Sequence, residues 1–234
     1  GGDIRSLYDS YQNNDTLHTL FFEEEYALDL TLHRYPKPVV ALMDGFVLGG
    51  GMGLVQGADL RLVTERSKLA MPEVGIGYFP DVGGSYFLTR TPGQLCTYLG
   101  VSGVQIRAAA ALYCGLADGY LESTALPELD KGLDSLNWQK SPIDDLTALV
   151  ARFAVTVLPD PPLARLRPLI DSVFAQADVP RIVAHLRAVI APETREWANQ
   201  TADLLQTRSP LAMAVTLEML RRGRELPLEQ CFAL

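Results

Sequence analysis

A chain of 234 residues with 48% hydrophobic and 21% charged side chains has the makeup of an ordinary globular protein, long enough for one substantial domain with a smaller appendage. Its net charge of −8 argues against nucleic acid or an anionic membrane as the main partner, but leaves room for a phosphorylated ligand held by a few local cations. No apolar run approaches the roughly 18 residues that span a bilayer, and Gly1–Arg5 has neither the charged nor the apolar region of a secretory signal.

Gly1–Arg5 reads as the inside of a loop, and Glu229–Leu234 stops in an apolar helical pattern without a cap. Both ends are expected to be cuts through a longer protein. Leu17 to Arg34, with Leu20, Phe21, Tyr26, Leu28, Leu30 and Leu32, predicts a long, largely buried helix, which Pro36 and Pro38 stop. Val39–Met43 predicts a short buried strand turning at Asp44-Gly45. Gly49 to Gly57 opens a helix packed close to its neighbours, and Leu60–Thr64 and Lys68–Met71 read as two more strands. Strand, glycine turn, helix, strand is the crossover pattern of a layered α/β protein.

From Gly84 onward helices dominate. Tyr86–Arg90, Gly93–Leu99 and Gln105–Cys114 are short helical candidates, Leu116–Leu121 a last strand or turn, and Pro127 to Pro142 a loop-like link. Ile143–Phe153, Pro162–Ala175, Pro180–Ile190, Glu193–Leu205 and Pro210–Arg222 are amphipathic segments, several opened by Pro or an acid. The expected division is a core over residues 1–126 and a helical region over residues 143–234.

The chemistry concentrates in Met71–Gly84, which holds Glu73 and Asp81 among apolar residues and glycines with no cation nearby in sequence. Burying such a carboxylate unpaired costs several kcal/mol or raises its pKa, and two of them on either side of a carbonyl can act as base and acid. Taken singly, Pro72-Glu73 also reads as a helix opening and Asp81 as an N-cap. Upstream, Gly49-Gly50-Gly51 sits where a strand feeds a helix, so amides without intrahelical acceptors can face a developing oxyanion. Glu23-Glu24-Glu25 reads as a solvated helix face, with one glutamate free to point inward beside Phe21, Phe22 and Tyr26. Arg5, Lys37 and Arg34 are the cationic candidates for phosphate, each equally readable as a surface charge. Arg221-Arg222-Gly223-Arg224 reads as a helix end that complements its dipole. Cys96, Cys114 and Cys231 are widely spaced and odd in number, and His18, His33 and His185 are scattered. This speaks against a disulfide framework, a zinc site or a Ser-His-Asp triad.

Six segments, taken in order, make a more specific pattern: Gly1–Arg5, Phe21–Tyr26, Lys37–Gly45, Gly49–Leu54, Ala70–Glu73 and Ile76–Leu88. With them the chain resembles the crotonase (enoyl-CoA hydratase/isomerase) superfamily, and within it most closely the 3-hydroxyisobutyryl-CoA hydrolases. The resemblance is dense over about the first 120 residues and implies an α/β fold, a spiral of ββα units with a helical C-terminal region and with further strands upstream. It implies acyl-CoA thioesters as ligands, an oxyanion hole from the amides of Gly2 and Gly50, and no cofactor beyond the CoA carried by the substrate. Hydratases of the superfamily usually place a second glutamate where this chain has Gly53; hydrolase-like members have glycine there and an aspartate at the position of Asp81.

The expected function is therefore hydrolysis of a short β-hydroxyacyl-CoA, with Glu73 and Asp81 as catalytic carboxylates and Arg5 and Lys37 near CoA. A hydratase or isomerase, or a CoA-binding protein without turnover, is the alternative. Partners are expected to be the acyl-CoA, without nucleic acid or membrane, with a homo-oligomer left open. The expected compartment is the cytoplasm, or the mitochondrial matrix in a eukaryote.

Overall fold

The computed structural model describes residues 2–138, 141–155, 158 and 160–234. The first described element is a helix, where the sequence had read as an active-site loop. Asp3 accepts hydrogen bonds from the amides of Arg5 and Ser6 and so caps α1 (Ile4–Asn13), which ends at Asn14 with φ of 56°. α2 (Leu17–His33) follows as expected in extent but not in burial: Asp29 is its one fully buried side chain, while Leu17, Leu20 and Leu28 are about half exposed. Its apolar residues lie all round the helix, and only one stripe faces the neighbouring α3.

β1 (Val40–Met43) and β2 (Phe46–Leu48) are joined through Gly45, whose φ of 147° suits glycine. α3 (Gly50–Gln56) comes next, then β3 (Leu60–Val63) and β4 (Lys68–Ala70). The two strands of each pair enter different sheets. β1 pairs in parallel with β3, Val40 opposite Leu60, and β2 pairs in parallel with β4, Phe46 opposite Lys68. Two strands and a helix thus advance the chain by one turn of a spiral.

After the turn at Glu73–Gly75 come α4 (Gly84–Phe87), a 3₁₀ turn at Leu88–Arg90 and α5 (Leu95–Ser102). β5 (Ile106–Arg107) closes the second sheet antiparallel to β4. α6 (Ala108–Tyr113) leads to β6 (Gly119–Tyr120), which extends the first sheet in parallel beside β3. α7 (Leu126–Asp134) lies where a loop was expected. Pro127 sits in its first turn, where a missing N–H costs nothing, and Leu129 anchors it in a small core with Leu62, Leu121 and Leu149.

The remaining helices are α8 (Pro142–Val150), α9 (Pro162–Val173), α10 (Val179–Arg187), α11 (Pro192–Gln206), α12 (Pro210–Gly223) and α13 (Leu228–Phe232). All eight residues of α5 are buried, so it is the axis of the main core. α12 packs directly against it: a Cβ at Gly100 would lie 2.9 Å from Leu220. One core cluster runs from Met43 and Leu69 through Leu95 and Ile170 to Leu220, so the sheets and the C-terminal helices share it. The three cysteines are buried and free.

Candidate active site

β4 ends at Ala70 and delivers Met71-Pro72 into a one-turn 3₁₀ helix at Glu73–Gly75. That turn is fixed from two sides. Glu73 O accepts from the amides of Ile76 and Tyr78, and Val74, fully buried, offers its carbonyl to the amide of Ser209 at 3.0 Å. The Glu73 side chain is 8% exposed and its Oε2 has no hydrogen-bond partner. Burial, reinforced by the charge of Asp81 and opposed by the residue's own backbone, pushes its carboxyl up to about 8.

Gly49 explains how so large a carboxyl fits. It precedes α3 with φ of 53°, and a Cβ there would stand 2.5 Å from Glu73 Oε1. Glycine is required on both counts. Gly50 follows as the first residue of α3, where amides lack intrahelical acceptors. At Gly2 a Cβ would stand 2.6 Å from the Phe21 ring.

Asp81 lies in the segment that leads to α4. It is held by the Tyr26 hydroxyl, which donates to Oδ2 at 2.8 Å and lies 3.4 Å from the Tyr78 hydroxyl. Burial raises the Asp81 carboxyl and the Tyr26 bond lowers it, the burial being the stronger effect. The next residue, Val82, has φ of 45°, a left-handed backbone that a β-branched residue rarely adopts.

These residues meet in one cavity of about 450 Å³. Gly2, Gly49, Gly50, Glu73 and Asp81 line it together with Glu25 and Tyr78. Ile4, Tyr8, Phe21, Phe22, Leu48 and Ile76 give it apolar walls. Glu25 is thus the inward-facing member of the Glu23–Glu25 run; it is half-buried and its carboxyl is raised by burial and then by Asp81. The sequence signal was the apolar setting of that run. Tyr26 had no such signal, since its partner lies 55 residues away.

Arg5 and Lys37 are exposed and do not line this cavity, and Arg34 pairs with Glu229. A larger cleft of about 740 Å³ between α10, α11 and α12 holds Asp178 and Glu218 beside Arg208 and Arg221, so its acids and bases compensate one another. The smaller cavity concentrates carboxyls with no lysine or arginine in its wall among the described residues, together with glycine amides, and is the candidate site for chemistry.

A family model described as enoyl-CoA hydratase/isomerase matches residues 1–234. The mitochondrial 3-hydroxyisobutyryl-CoA hydrolase of Xenopus tropicalis is 34% identical over 232 residues, covering 98% of this chain and 59% of its own. Small ribosomal subunit protein mS47 of Neurospora crassa is also 34% identical, over 99% of this chain and 49% of its own. A carnitinyl-CoA dehydratase structure from Mycobacterium thermoresistibile superposes with a TM-score of 0.88 at 39% identity, over 99% of this chain and 65% of its own. The chain therefore spans about half to two thirds of the length of these relatives.

Proposed function

From the premise that this chain belongs to the enoyl-CoA hydratase/isomerase family, we propose that it hydrolyses a short β-hydroxyacyl-CoA thioester, of the 3-hydroxyisobutyryl-CoA type, to the free acid and CoA. The observation that carries the reading is the convergence of Glu73, Asp81, Gly2 and Gly50 on one cavity, with no space for a further acid at position 53 of α3. A Cβ at Gly53 would stand 2.5 Å from Val82 Cβ and 2.7 Å from Asp29 Oδ2. The second glutamate of a two-glutamate hydratase has no room there. This favours thioester cleavage over addition of water to a double bond.

In this mechanism the amides of Gly2 and Gly50 polarise the thioester carbonyl; losing one such donor typically costs about 10²–10³ in rate. Glu73, once ionised, attacks the carbonyl carbon. The C–S bond breaks, CoA leaves as a thiolate that takes up a proton, and water cleaves the resulting acyl-enzyme anhydride. In a variant of this route Glu73 instead draws a proton from water, which attacks directly. Asp81, held by Tyr26, orients the substrate hydroxyl or the water.

The test is release of free thiol from 3-hydroxyisobutyryl-CoA and 3-hydroxypropionyl-CoA by the full-length protein, and its loss in Glu73→Gln. Consumption of crotonyl-CoA without thiol would overturn the reading in favour of a hydratase. The similarity to mS47 supports a second reading, in which the chain is an assembly component without turnover. The net charge of −8 weighs against RNA as a direct partner. CoA binding with no release from any thioester would favour that second reading.

A further inference from the structure

Asp29 is the most anomalous side chain in the molecule. It is 0% exposed, on the inner stripe of α2, and neither carboxyl oxygen has a hydrogen-bond partner. Buried polar atoms without partners are rare in folded proteins and ask for an explanation. Its surroundings suggest one. Oδ2 is 2.7 Å from where a Cβ at Gly53 would be, and the Val82 side chain crowds that same point, so the Asp29 carboxyl stands beside the residue that follows Asp81. Glu25, one helical turn earlier on α2, lines the cavity in front.

The charges that act on Asp29 are both acidic. Glu25 comes from its own helix and Asp81 from the segment before α4, and both charges act on it unfavourably. Tyr26, on its own helix, spends its hydroxyl on Asp81. His33, one turn further, is kept towards its neutral form by burial and by Arg61. α3, which packs against α2, carries no titratable side chain, α1 on another side carries Arg5, Tyr8, Asp9 and Tyr11, none of which acts on Asp29, and Phe232 of α13 contributes only its ring. Three carboxyls share this corner, and no lysine or arginine among the described residues acts on any of them. Asp81 has a donor and Glu25 has partial exposure, so Asp29 is the one left to hold a proton.

We propose that Asp29 is a positioning residue of the active site, a buried protonated acid behind Asp81 whose ionisation adds a second negative charge there and switches the site off on the alkaline side. Asp29 touches neither the cavity nor any ligand in it; it acts through Asp81. Burial, then Glu25, then Asp81 push its carboxyl up to about 7. Glu73, near 8, has to lose a proton while Asp29 keeps one for the site to work, so the working form is a minority species that peaks between the two midpoints. A carboxylate at Asp29 would oppose both the Asp81 carboxylate and the anionic charge that develops when a thioester is cleaved. The alkaline limit rests on the acyl-CoA reading above; the protonation of Asp29 does not.

Two measurements decide it. In full-length protein with ¹³C-labelled aspartate carboxyls, one resonance is expected to titrate near neutral pH, vanish in Asp29→Asn and move to lower pH in Asp81→Asn. A resonance assigned to Asp29 that titrates below pH 5 overturns the proposal whatever the enzyme does. In thiol-release assays, the ratio of kcat/KM for Asp29→Asn over wild type is expected to be about one at pH 6 and to exceed about ten at pH 9, since each pH unit past the midpoint removes about tenfold of the active form. A ratio that stays constant from pH 6 to pH 9 marks Asp29 as merely structural and overturns the proposal. Should no thioester be cleaved by the wild type, the acyl-CoA reading fails while the titration still decides the state of Asp29.

Discussion

Replacing Glu73 by Gln tests the burial of the central carboxyl separately from its chemistry. An ordinary glutamate titrates near 4.5 and this one near 8, so between those values the folded protein holds a proton that the unfolded chain has lost. Stability therefore falls as pH rises through that window, the reverse of the usual salt-bridged carboxylate. The shift amounts to a penalty of about 3 kcal/mol at pH 7 against under about 1 kcal/mol at pH 5. Gln carries no such dependence. Its buried amide has its own cost, but that cost is the same at every pH, so the informative quantity is the change in the difference between the two proteins. With about 2–4 °C per kcal/mol for a chain of this size, the Tm of Glu73→Gln relative to wild type should improve by roughly 4–8 °C between pH 5 and pH 7. The assay is thermal unfolding of both proteins across that range, run beside thiol release. Parallel Tm curves would mean that Glu73 ionises like an exposed acid, and would refute the argument that its solvent-poor setting prepares it for catalysis.

Tyr26→Phe removes a side-chain donor to Asp81, and with charged hydrogen bonds contributing about 1.5–3 kcal/mol, kcat/KM should drop by about tenfold or more; unchanged kinetics would detach Asp81 from Tyr26. Gly49→Ala places a Cβ 2.5 Å from Glu73 Oε1 at a φ of 53°, so turnover should fall with the carboxyl displaced, and a fully active variant would sink that placement. Gly53→Ala drives a methyl into Val82 and Asp29 and should destabilise by about 1–3 kcal/mol, as overpacking does, read by chemical denaturation; a neutral change would show the corner to be loose. After turnover in H₂¹⁸O, label found in the Glu73 peptide by mass spectrometry would establish the anhydride and refute direct attack by water, because only water adding to the Glu73 carbonyl of an anhydride can put it there.

Much of the element order was legible from the chain because its signals are local. Proline marks the starts of α9 and α12, and glycine marks the opening of α3. What escaped was set by packing. α2 has the expected length, but nothing in Leu17–His33 says which stripe meets α3, so the helix looked buried where it is half exposed. β2 is three residues between glycines, too short for a periodic signal. α7 hides behind Pro, Gly and Ser, and only the contact of Leu129 with Leu62 and Leu149 declares it a helix. For the site, the cost of burying Glu73 and Asp81 in apolar surroundings drew attention to both, and they do line one cavity. Glu25, Tyr26 and Asp29 lie more than 40 positions away on a helix, and their bearing on that cavity exists only once α2 has docked.

Gly53 ties the sterics of this corner to its electrostatics. Its missing side chain lets Val82 and the Asp29 carboxyl approach α3, and it keeps another acid out of a corner already holding Glu25, Asp29 and Asp81. A glutamate there would have to displace Val82, whose left-handed backbone leads directly from Asp81. It would also raise every neighbouring carboxyl further by like-charge repulsion. The cavity wall contributes no arginine or lysine among the described residues, so negative charge developing on a substrate would be met by neutral donors. On the reading proposed above the amides of Gly2 and Gly50 are such donors, and they add neither charge nor bulk. The polarity of the site is then carried largely by its main chain. In such a site the number of carboxyls is limited by their mutual repulsion before it is limited by space, and a glycine at position 53 satisfies both limits at once.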